Sequence, residues 1–141
     1  MSQKSARIAS LIESFRGGPY DARYLAYFDC FNRQLFYEAH EVLEDLWLPD
    51  KRGGNGDFYK GLIQLAGAFV HLQKNRPGPA AALFRLTRTH LAPYAPRHEG
   101  LNLTDVRLLI ECWLLILESG QSARHPLTPG SAPHLLPAAE P

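Results

Sequence analysis

Cysteine is almost missing from this chain: Cys30 and Cys112 are the only two. They have neither the spacing of a zinc site nor the number a disulfide framework needs, so both read as reduced core residues. An excess of charge of either sign is missing too. Fifteen Lys+Arg face fourteen Asp+Glu for a net charge of +1, so no broad field draws the chain to nucleic acid or to an anionic membrane surface. Long hydrophobic runs are absent; the longest, around Leu62–Val70 and Cys112–Leu117, are too short to span a bilayer. The polar start Met1–Arg7 leads into an amphipathic segment and does not resemble a secretory signal. The cytoplasm is therefore the expected compartment. No stretch sustains period-two alternation, which excludes a substantial sheet. No glycine-rich phosphate loop follows a strand.

What is present reads as helix from end to end. A length of 141 residues, with 45% hydrophobic and 21% charged residues, suits one ordinary globular domain with a real core. Start and stop signals divide it into six helices. The first covers about 2–16 and ends at Gly17-Gly18. The second covers 20–32 and is rich in aromatics. The third covers 35–48 and stops at Pro49. The fourth covers 57–74, capped by Asp57. The fifth follows Pro77-Gly78-Pro79 and ends near Leu91, and the sixth covers 105–118, capped by Thr104. The fold class is all-α: a single domain over 1–118, built as stacked helical hairpins loosely like tetratricopeptide repeats. Residues 119–141 carry five prolines among small and polar residues. They read as a disordered or loosely docked tail, with Leu135-Leu136 as its one apolar pin.

A shift of about forty-one residues superimposes Phe28 on Phe69, Asn32 on Gln73, Ala39 on Ala80 and Leu43 on Phe84. Each half is then an aromatic helix, a polar turn and a second helix. The alternative is coincidence among apolar positions.

Potential chemistry concentrates on the third helix, in Phe36-Tyr37-Glu38-Ala39-His40-Glu41-Val42-Leu43-Glu44-Asp45-Leu46-Trp47. At about 100° per residue, Phe36, Ala39, Leu43, Leu46 and Trp47 share an apolar face. His40 sits at its border, Glu41 and Glu44 adjoin it, and Glu38 and Asp45 lie further round. The fourth helix adds a polar stripe, Lys60, Gln64 and His71, on an otherwise apolar segment that also holds Gly67. Gly67 admits a close backbone approach or leaves room for something bound.

The pattern Phe31-Asn32, Phe36-Tyr37-Glu38-Ala39-His40-Glu41, Leu43-Glu44 and Trp47, followed by Gly61-Leu62-Ile63-Gln64-Leu65-Ala66, resembles a prokaryotic family of small helical proteins, domain of unknown function three hundred and nine. The resemblance spans about 24–90. It implies packed helical hairpins and no established activity. One departure is local: the family often has glycine in the turn after Asn32, where this chain has Arg33-Gln34.

Three functional readings of the cluster follow. As a metal site, His40-Glu41-x-x-Glu44 is a near miss of the zincin motif, and His71 is the best further ligand; zinc, iron or manganese would be the ions. That would make the chain a metal-dependent hydrolase or oxidase. As a small-ligand or catalytic pocket, Glu41 or Glu44 beside His40 is a proton-transfer pair walled by Trp47 and Tyr37. As a structural element, His40 locks two hairpins together, and the protein is a non-enzymatic binding or interaction module. Its groove then takes a partner helix or peptide, with its own tail or a second copy as candidates. Glu38, His40, Glu41, Glu44, Trp47, Gln64 and His71 form the candidate cluster, and the interaction module is the leading reading. Arg85, Arg88 and His90 with Arg97 and His98 read as a solvated basic face. Arg107 and Glu111 are spaced for an ion pair along the sixth helix. Leu109, Ile116 and Leu117, if exposed, would argue for a dimer.

Overall fold

The computed structural model describes residues 6–119, 127 and 131–139. Among them are six α-helices: α1 (Ala6–Ser14), α2 (Ala22–Asn32), α3 (Phe36–Trp47), α4 (Gly56–Gln73), α5 (Pro77–Leu91) and α6 (Leu103–Glu118). The expected start of the first helix, residues 2–5, lies outside the described residues. Between α5 and α6 sit two short antiparallel strands, β1 (Arg97–His98) and β2 (Leu101–Asn102). Glu99 and Gly100 join them, both with positive φ, as a two-residue hairpin turn requires. The class is all-α nonetheless.

Helix ends follow the chemistry of their neighbours, though two caps differ from expectation. Asn102, not Thr104, caps α6: its side-chain oxygen accepts from the Thr104 and Asp105 amides at 3.0 and 3.1 Å. α4 opens at Gly56, and Asp57 falls within its first turn instead of capping it, where its charge still favours the helix N-terminus. α3 and α5 each run into a short 3₁₀ turn, Leu48–Asp50 and Ala92–Tyr94, because Pro49 and Pro93 cannot continue an α-helix.

The forty-one-residue repeat is present in the backbone. α2–α3 and α4–α5 are equivalent hairpins, and their turns match bond for bond. Gln34 and Asn75 both take left-handed φ, 62° and 56°. The Leu35 amide donates to the Cys30 carbonyl at 2.8 Å, and its counterpart, the Arg76 amide, donates to the His71 carbonyl at 2.9 Å. This wide bond past a left-handed residue closes a helix C-terminus by satisfying carbonyls left over at its end. A glycine in this turn would enter that region without steric cost.

α3 lies between α2 and α4, α5 packs on α4 and α6, and α1 covers α2. Phe69 sits at the centre, with ring centroids 5.0 to 5.9 Å from Phe36, Phe84, Phe31 and Trp113. Phe28, Ala39, Ala80, Leu43 and Phe84 are all buried, as the repeat requires. Gly61 allows α5 to approach α4: a β-carbon there would lie 2.8 Å from Leu91. Gly67 does the same more gently, 3.2 Å from Leu83, so it serves helix packing.

Several expectations need correction. Cys112 is exposed, whereas Cys30 is buried and its thiol is pushed up to about 11, mainly by burial. Leu117 is buried; the exposed leucines of α6 are Leu108 and Leu115. Glu111 pairs across helices with Arg88 at 2.8 Å, and not with Arg107. α5 places Arg88 alongside α6 and so wins the carboxylate.

Candidate functional site

The charged strip of α3 forms along the helix. His40 Nε2 lies 3.4 Å from a Glu44 carboxylate oxygen one turn on, and the ring sits beside exposed Tyr37 at 5.7 Å. His40 thus has its ion-pair partner on its own helix. Glu41 is half-buried at the border of the strip. Glu38 is approached by Arg7 of α1 at 3.8 Å. Trp47 is half-buried beneath the Lys51 ammonium at 5.2 Å.

The α4 stripe turns elsewhere. Gln64 pairs with His90 of α5 at 2.7 Å, not with α3. His71 keeps a buried Nδ1 without a partner among the described residues. Burial holds its pKa below the usual histidine value, and Arg76 and Lys74 add to the effect. Among the described residues no three His, Cys, Asp or Glu side chains come together as a metal site would need. Gln64 thus has its partner on α5 and His40 has its own one turn along α3.

The most developed binding geometry lies on the other side of α2. Tyr24, Tyr27 and Phe31 face the core, and Leu25, Phe28, Asp29 and Asn32 form a stripe at i, i+3, i+4 and i+7. With Phe15, Pro19 and Tyr20 this stripe floors a groove. The chain's own His134 and residues 136–139 form its other wall. Pro133 and Leu135 are buried and His134 and Leu136 exposed, the period-two pattern of an extended chain.

The hold on this segment is through its backbone. Asn32 donates its side-chain N–H to the Leu135 carbonyl and accepts the Leu135 amide, both at 2.8 Å. A carboxamide offers one donor edge and one acceptor edge, so it stands in for a neighbouring strand. Three residues further, the Ala138 amide donates to the Gly100 carbonyl at 2.7 Å. The Tyr20 hydroxyl donates to the Ala138 carbonyl at 2.8 Å. Burial, helped by the Glu99 carboxylate, raises the Tyr20 pKa, so the hydroxyl keeps the proton it donates. Gly100, at φ +72°, has no room for a β-carbon because Tyr20 and the Ala138 amide close over it. Tyr24 anchors the same turn by donating to the Glu99 carbonyl at 2.8 Å.

The sequence reading missed Asn32 as a binding residue, although it stood in the Phe31-Asn32 pair. A polar residue ending a buried aromatic helix was the available signal. Of the Leu135-Leu136 pair in the tail, Leu135 is the buried one. Residues 120–126, 128–130 and 140–141 lie outside the described residues.

Residues 24–83 match one family model, domain of unknown function (DUF309). The resemblance read from the sequence therefore holds across α2, α3, α4 and the first half of α5. Asn32 and the His40–Glu44 pair lie inside the DUF309 segment; Tyr20, Gly100 and residues 131–139 lie outside it. An uncharacterised protein of Aquifex aeolicus (strain VF5) is 30% identical over 81 residues, 57% of this chain and 24% of that relative. The chain thus spans about a quarter of that relative's length. No solved structure matches. No helix among the described residues is long and apolar enough to cross a membrane.

Proposed function

We propose that this chain is a non-enzymatic protein-interaction module whose working surface is the α2 groove, taking an extended peptide at Asn32. One observation carries the reading: both edges of the Asn32 carboxamide are spent on the backbone of a single residue, Leu135. Backbone pairing gives affinity that tolerates sequence, while the burial of alternate side chains gives selectivity. The α3 strip contributes to the fold's surface and to the seat of α1. A metal-dependent hydrolase or oxidase built on His40, Glu41, Glu44 and His71 gains no support from where those side chains lie. The cytoplasm is the proposed compartment, in keeping with two unpaired cysteines.

The test uses a fluorescent peptide with the sequence of residues 131–139 and the full-length Leu135→Asp chain, whose own tail has lost its buried leucine. Saturable binding is expected, and adding Asn32→Ala should abolish it. Absence of binding by a folded Leu135→Asp chain overturns the reading. If that variant does not fold, Ala138→Pro replaces it, since proline lacks the N–H that Gly100 receives.

A further inference from the structure

The tail does not close against the body of the protein along its whole length. Between residues 134–139 and the α1–α2 corner remains a cleft of about 560 Å³, with Phe15, Leu25 and Phe28 among its walls. Leu136 lines this cleft yet is 64% exposed. Well-formed contacts in proteins are close-packed, so an apolar cleft left open beside a docked segment marks a poor fit on that side. At Leu135 and Ala138 the bonds that hold the segment are made to its main chain. They would accept any extended peptide with the same spacing.

We infer that residues 131–139 are a built-in stand-in for the groove's ligand, and that the ligand is an extended peptide of another protein. That peptide pairs with Asn32 as Leu135 does and carries an aromatic side chain at the place of Leu136. The inference rests on the reading of the α2 groove as a peptide site. Tethering gives the tail an effective concentration of the order of millimolar for a short linker. It therefore holds the groove against weak competitors, and only a peptide that uses the open cleft displaces it. An aromatic side chain brings the large apolar area the cleft can bury, and a gain of tenfold or more in affinity is the expected scale.

The test uses the full-length wild-type chain and two peptides, one with the sequence 131–139 and one with Leu136→Trp in that sequence. The Leu135 and Ala138 amide signals are followed by nuclear magnetic resonance as each peptide is added. Displacement by the Leu136→Trp peptide at about one tenth of the concentration, or less, is expected. Equal or weaker displacement overturns the inference. If the unmodified peptide still binds the Leu135→Asp chain, the proposed function stands without it; if it does not, both fall. A second arm places Leu136→Trp in the full-length chain. Slower exchange of the Leu135 and Ala138 amides supports the inference, and faster exchange contradicts it.

Discussion

His40 and Asn32 show how little residue type alone says about role. His40, beside three carboxylates, has the sequence surroundings of a catalytic group, whereas Asn32 has those of an ordinary helix end. In the fold, His40 spends its ring on Glu44 of its own helix, a pairing worth about 0.2–0.5 kcal/mol. His40→Ala should therefore lower stability by no more than about 0.5 kcal/mol, measured by denaturant unfolding. A loss of several kcal/mol would show that it locks the bundle after all. His71 behaves differently. Its Nδ1 is buried without a partner among the described residues, and burial depresses its pKa. The unfolded chain, with an ordinary histidine, takes up a proton first as pH falls, so stability is full above about pH 6.5 and declines below it. The decline ends once the native histidine also protonates. His71→Gln should flatten that part of the pH dependence; an unchanged slope would remove His71 from the account. The sequence suggests that His71 is buried and partnered by a carboxylate of α3; the missing partner at Nδ1 among the described residues depends on packing between helices, which no local pattern carries.

Helices were legible because their signals are local: aromatic and aliphatic spacing, Gly17-Gly18, Pro49 and Pro93. Caps were less so. Asn102 and Thr104 are both good capping residues two positions apart, and the β1–β2 hairpin decides between them by fixing the entry of the chain into α6. The repeat was visible as apolar coincidence and becomes physical in the two turns. Gln34 carries there a left-handed conformation that costs a non-glycine residue on the order of 1 kcal/mol. Gln34→Gly should raise stability by a few tenths to about 1 kcal/mol, the relief being partly offset by the greater freedom of glycine in the unfolded chain. Its carbonyl, which accepts from Gln73 at 3.0 Å, is untouched. A calorimetric melting temperature checks this: it should rise, and a fall would mean that the Gln34 side chain makes a contribution the turn geometry does not explain.

At the scale of the whole molecule, the bundle uses its two hairpins to build a core around Phe69 and leaves the outer stripe of α2 for an extended segment. That segment lies more than a hundred positions from Asn32 in the chain. No local pattern could join them, and the proline-rich composition of 119–141 pointed away from order. The site is assembled by long-range geometry: α2 supplies Asn32, the α1–α2 connection Tyr20, and the hairpin turn Gly100. The most direct measurement of this account is residue-resolved amide exchange on the wild-type chain and on Asn32→Ala. In the wild type, the Leu135 and Ala138 amides should exchange more slowly than in an unstructured peptide, because both are bonded to the body of the protein. In Asn32→Ala the Leu135 protection should disappear while the α3, α4 and α5 amides stay protected. Free exchange at Leu135 and Ala138 in the wild-type chain would contradict the docking on which the groove's function is read.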